Sequence, residues 1–101
     1  MIRGWFVGNF EPSCLKTLEC EVAVKKYIKG DHEEWHFHKI ATEITVILGG
    51  EAQVNGVVFS DGDIIRLEPG EGADFKAITD LTTVVVKIPG APNDKYKLGE
   101  I

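Results

Sequence analysis

The 101-residue chain has no apolar run approaching the ~20 residues that a bilayer-spanning helix needs, so a helical membrane span is not expected. Its opening, Met1-Ile2-Arg3-Gly4-Trp5, lacks the long apolar region of a secretion signal, and the expected location is the cytoplasm. Cysteine is nearly missing. Cys14 and Cys20 are the only two and fit no zinc spacing, so free thiols are expected in a reducing compartment. Basic residues are outnumbered: eleven Lys and Arg against sixteen Asp and Glu give a net charge of −5, and Lys25-Lys26 is the densest basic pair. Phosphate binding needs the opposite balance, so a nucleic-acid partner is disfavoured. There is no internal repeat, low-complexity segment or linker, and the length suits one domain spanning 1–101.

Helical periodicity is also scarce. Ser13 could cap a short turn through Leu15 and Leu18, but the β-branched run that follows should stop it. What is present is β patterning. Runs rich in Val, Ile, Thr and aromatics predict strands at Trp5–Phe10, Glu19–Lys29, Trp35–His38, Glu43–Leu48, Ala52–Val54, Val57–Phe59, Asp63–Leu67, Ala73–Ile78 and Thr82–Ile88. Between them stand turn residues, of which Val54-Asn55-Gly56-Val57 is the clearest, a two-residue hairpin of the type I′ kind. The expectation is an all-β sandwich or barrel, with residues 89–101, turn-rich and polar, as a surface C-terminal arm.

All three histidines fall in "GDHEEWHFHKIATEITVILGG", residues 30–50. His32-Glu33-Glu34-Trp35-His36 spells H-E-x-x-H, a zinc-protease pattern that works only on a helix and needs a third ligand further along. Gly30-Asp31 reads as a turn, the β-rich run Ile44–Leu48 follows closely, and no histidine follows His38. On a strand the residues read differently. His36 and His38 project to one face, roughly 7 Å apart at their Cα atoms, and the reversal over residues 39–42 lets Glu43 return beside them. Two imidazoles and one carboxylate suit a divalent transition metal: Fe, Mn, Zn, Ni or Co.

Gly30, His36, His38, Glu43 and Gly50 match the pattern G-x5-H-x-H-x4-E-x6-G, and in this the chain resembles the cupin superfamily. The resemblance implies a cupin-type β-barrel, or double-stranded β-helix (jelly roll), with a core over about residues 20–88, and it makes His36, His38 and Glu43 metal ligands. The second cupin motif, G-x5-P-x-G-x2-H-x3-N, is degenerate here. Gly62 and Gly70 fit, but Glu68, Ala73 and Ala77 stand where proline, histidine and asparagine belong. Asp74, one residue late, is the substitute ligand to consider. Strand alternation turns it outward unless a bulge near Gly70-Glu71-Gly72 reverses the face.

The functional expectation is a metal-dependent enzyme acting on a small oxygenated substrate, a sugar derivative or organic acid, by isomerase, epimerase or oxygenase chemistry. Without metal, His36 or His38 would serve as acid/base catalyst. The alternatives are a non-catalytic module binding a small ligand or metal, and a structural barrel serving a partner. A homodimer is expected, because small cupins commonly dimerise and a lone barrel has edge strands to cover. His32 is expected at the exposed turn, sharing strand parity with His36. Tyr27, Lys26, Glu34 and Gln53 are further candidates to line the barrel, with Lys26 and Glu34 solvated by default.

Overall fold

The computed structural model describes residues 3–97. Ten strands build two five-stranded antiparallel sheets, and no helix occurs among the described residues. In chain order they are β1 (Trp5–Val7), β2 (Glu21–Tyr27), β3 (His32–Phe37), β4 (Thr42–Leu48), β5 (Glu51–Val54), β6 (Val57–Ser60), β7 (Ile64–Leu67), β8 (Ala73–Ala77), β9 (Leu81–Ile88) and β10 (Tyr96–Lys97). One sheet runs β1-β2-β9-β4-β7 and the other β10-β3-β8-β5-β6. The all-β expectation holds. β3 reaches back to His32, which disposes of the helical H-E-x-x-H reading: those five residues lie along a strand.

Side-chain alternation fixes which face meets the core. On β9, Leu81, Thr83 and Val85 are buried while the residues between them are partly exposed. Ile47, Ala52, Ala77 and Leu81, drawn from both sheets, fill one end of the barrel, with Tyr27, Phe59, Ile65 and Phe75 packed around them. Fully burying a side chain such as Ile47 stabilises by roughly 1.5–3 kcal/mol. Along β4, Glu43 lies four residues from Ile47, about 13 Å at strand spacing. Glu43 and the apolar cluster therefore sit apart along the barrel, with Tyr27, Ile65 and Phe75 packed on the cluster and also lining the cavity that Glu43 enters. Gly50 shows why its motif position takes glycine, since a Cβ there would collide with the Asp80 carbonyl and the Thr79 hydroxyl. At the Val54–Val57 hairpin, Asn55 and Gly56 both have positive φ (50° and 80°), as a type I′ turn demands.

Two expectations need correcting. Ser13 starts no helical turn: Cys14 N–H donates to the Phe6 carbonyl, and Leu15 bridges Val7 in parallel, so this segment runs extended beside β1. The chain after Pro89 is not simply a surface arm. Asp94 is buried, Tyr96 and Lys97 form β10 against β3, and the Tyr96 ring stacks on Phe37 with centroids 5.5 Å apart. Residues 98–101 of the expected arm lie outside the described residues. Cys14 and Cys20 are free thiols.

Candidate metal centre

A β-bulge in β3 positions the site. Glu33 pairs with Phe75 and His36 with Ala73, so three residues on β3 span two on β8. The extra residue switches strand parity, and Glu33 and His36 line one internal cavity while His32 and Glu34 are exposed. Trp35, inside the bulge, lays its ring against Gly72, where any Cβ would overlap it. His38 follows the end of β3. Its carbonyl accepts the Gly70 N–H at 2.7 Å, which ties it to the Pro69-Gly70 turn. Glu43 sits near the start of β4 and has Lys87 as its register partner on β9.

The ligand atoms of His36, His38 and Glu43 all lie within 4.8 Å of one another. Each histidine is oriented from behind. His36 Nδ1 is 2.9 Å from the Glu34 carbonyl, and His38 Nδ1 is 2.5 Å from the Asp94 carbonyl. A carbonyl only accepts, so Nδ1–H donates in both rings and Nε2 is the nitrogen left available to a metal. In the metal-free geometry His38 Nε2 is also 3.0 Å from Glu43 Oε2.

Charge favours the same reading. Burial lowers the His36 pKa below its ordinary value, so the ring stays neutral and ligand-ready at mildly acidic pH. Burial works against ionisation of Glu43. The hydrogen bond from His38 and the nearby charges of His38, Lys87 and His36 outweigh it and hold the carboxyl below the usual range. Two neutral nitrogens and one carboxylate oxygen fit a divalent transition ion.

Asp74 is not among the three. It is exposed on β8, its Oδ1 accepts the Asn55 N–H at 2.8 Å, and its own N–H donates to Asn55 Oδ1 at 3.2 Å. Ala73, the buried residue directly opposite His36, offers only a methyl group. The residue before Asp74 thus holds the inward position, as plain alternation requires.

No family model matches the chain, and no curated protein matches it in sequence. Solved structures do. A conserved protein with a double-stranded β-helix domain from Klebsiella pneumoniae superposes with a TM-score of 0.71 at 26% identity, over 86% of this chain and 75% of that one. A predicted oxalate decarboxylase from Thermotoga maritima gives 0.61 at 31% identity, over 67% and 64%. An RmlC-like cupin from Shewanella frigidimarina gives 0.69 at 23% identity, over 77% and 72%. The fold is that of the cupins, a double-stranded β-helix.

The cavity inside this cupin fold, about 50 Å³, holds polar groups besides the ligand candidates. Tyr27 is inside and Lys26 is outside, as alternation along β2 has it; Lys25 also lines the cavity, and that same alternation could have found it. Glu33 is inside in place of Glu34, and nothing in the sequence signals the bulge responsible. Tyr27 donates its hydroxyl to Glu33 Oε2 at 2.7 Å, and burial followed by the Glu33 charge pushes its pKa well up, so it remains a phenol. Lys25 and Lys87 place their ammonium groups 5.2 and 4.8 Å from the Trp5 ring centroid.

Proposed function

We propose that this cupin holds a divalent transition metal on His36, His38 and Glu43 and is an enzyme acting on a small oxygenated substrate, a sugar derivative or an organic acid. One observation carries the reading: three ligand atoms within 4.8 Å, with His36 and Glu43 on the wall of an internal cavity. A metal there would supply Lewis-acid polarisation of a substrate oxygen. The protein does the rest. The carbonyls of Glu34 and Asp94 hold the imidazoles in one tautomer, Glu43 contributes the negative charge, and Ala73 leaves space opposite His36. The predicted oxalate decarboxylase from Thermotoga maritima, named for a small organic acid, supports the substrate class. Reactions of isomerase, epimerase or oxygenase type are all compatible with such a site.

The test is a panel of 2-oxo acids, 2-hydroxy acids and nucleotide sugars incubated with metal-loaded protein, in air and anaerobically. Turnover of at least one class is expected, lost in the His36→Ala/His38→Ala variant. Tight binding across the panel without turnover would instead establish a binding module.

A second copy of the chain is the expected partner. The outer face of the β2-β9-β4 sheet carries Val22, Val86 and Ile44 in one row and Val24, Val84 and Val46 in the next. Antiparallel sheets with a solvated face usually alternate to polar residues there, and a two-fold axis near β9 and β4 would match this stripe to itself. Sedimentation should give a dimer, and Val84→Lys should yield monomer. Wild-type protein that is monomeric at tens of micromolar would sink the idea.

A further inference from the structure

Further along the same cavity, four polar side chains converge that are not metal-ligand candidates. Glu33 receives the Tyr27 hydroxyl at 2.7 Å and has Lys25 Nζ 3.8 Å away, both contacts on Oε2. Oε1 has no hydrogen-bond partner among the described residues. Thr83 is 1% exposed, and its hydroxyl, on the Tyr27 side of the cavity, closes no hydrogen bond of ordinary length. Buried polar atoms in folded proteins are nearly always paired. That rule bears on the Thr83 hydroxyl alone; the Glu33 side chain is 28% exposed, and its Oε1 is instead open to the cavity, so a ligand that donates a hydrogen to Oε1 and offers oxygens would engage both groups. The bulge matters here too, because without it Glu34 would take the inward place; bulges recur where a functional side chain is re-aimed.

We propose that Glu33 is a catalytic residue, the proton acceptor for a small 2-hydroxy or 2-oxo carboxylic acid whose oxygens lie toward His36, His38 and Glu43. The assignment rests on the metal reading of those three residues. Size limits the ligand, since about 50 Å³ accommodates only a few water molecules' worth of atoms. Charge favours a monoanion, with Lys25 on the cavity wall and Lys87 beside Glu43. With a 2-oxo acid, a C3–H bond breaks and its electron pair forms the C2–C3 double bond. The carbonyl π pair moves to oxygen, and the proton goes to Glu33 Oε1. Return of a proton to C3 regenerates the acid, and no oxidant or reductant is consumed. A hydroxy acid gives Glu33 a hydrogen bond from its 2-hydroxyl.

The experiment loads wild-type, Glu33→Gln and His36→Ala/His38→Ala proteins with zinc and follows loss of the pyruvate methyl signal in D₂O by proton NMR. The double variant sets the background. Wild type should exceed it, and Glu33→Gln should fall by roughly 100-fold or more with zinc content unchanged. A second readout needs no turnover. Glu33→Gln should weaken lactate about tenfold and leave oxalate, which has no hydrogen to donate, unaffected; intact oxalate binding also certifies the fold. Exchange by Glu33→Gln at the wild-type rate, or equal weakening of lactate and oxalate, would overturn the proposal. Zinc bound but no wild-type exchange above background removes the Glu33 assignment alone. Equal zinc in wild type and the double variant removes the metal reading and the Glu33 assignment with it.

Discussion

Protein purified without a histidine tag should carry close to one equivalent of divalent metal, and the His36→Ala/His38→Ala variant should carry none above background by elemental analysis. The expected effect is complete because the substitution removes two of three donors and leaves Glu43 as a lone carboxylate. Equal metal in both proteins would end the assignment. The pH dependence follows from the proton count. Imidazole must be neutral to ligate, so protons compete with the ion and affinity falls with acid. Burial lowers the pKa of His36, so protons compete for that ring only below the ordinary imidazole range. Glu43, also held low, stays ionised further into acid than an ordinary carboxylate. Metal retained in full at pH 4 would place it elsewhere.

The cluster of His36, His38 and Glu43 was legible because it depends on local rules. His36 and His38 lie two apart at the end of one strand, and a short reversal returns Glu43 on the next, so a period of two and one turn bring them together. Most strands were legible for the same reason: β-branched runs between turn residues leave few alternatives. Glu33 was hidden because a bulge is set by the partner strand. Gly72 on the approach to β8 makes room for Trp35, and no residue of β3 reports that room. Asp94 was hidden by distance. Its function depends on a turn more than fifty residues earlier, while its own neighbourhood reads only as polar and turn-forming. The second-motif lesson is narrower: Ala73 takes the inward place, and Asp74 follows alternation outward to cap the Asn55 turn.

Asp94→Ala should destabilise the protein by about 2–4 kcal/mol and weaken metal binding about 10- to 100-fold, although Asp94 is no ligand. The carboxylate accepts the N–H groups of Lys39, Ile40 and Ala41 at 2.9, 2.9 and 3.0 Å, which shapes the reversal between His38 and Glu43. Lys39 and Ile40 are exposed and can turn to water, but Ala41 is buried and its N–H would be orphaned. That difference keeps the expected cost below three full desolvation penalties. The metal effect comes from two routes, loss of the turn that brings Glu43 to His38 and loss of the fixed carbonyl that orients His38 Nδ1. Asp94→Asn keeps an acceptor oxygen and should lose about half as much stability. Acid separates charge from shape. Burial opposes the Asp94 charge, but the three backbone N–H bonds and His38 outweigh it, so the folded pKa lies below the ordinary carboxylate value. Its contribution is present above that ordinary value and is lost as pH falls through the folded pKa. In urea unfolding, the gap between wild type and Asp94→Asn should therefore be full at pH 6 and shrink below pH 4. A gap that stays constant down to pH 3 would mean that the carboxylate acts through shape alone. Asp94→Ala with wild-type stability and wild-type metal affinity would show that the C-terminal segment does not hold the site.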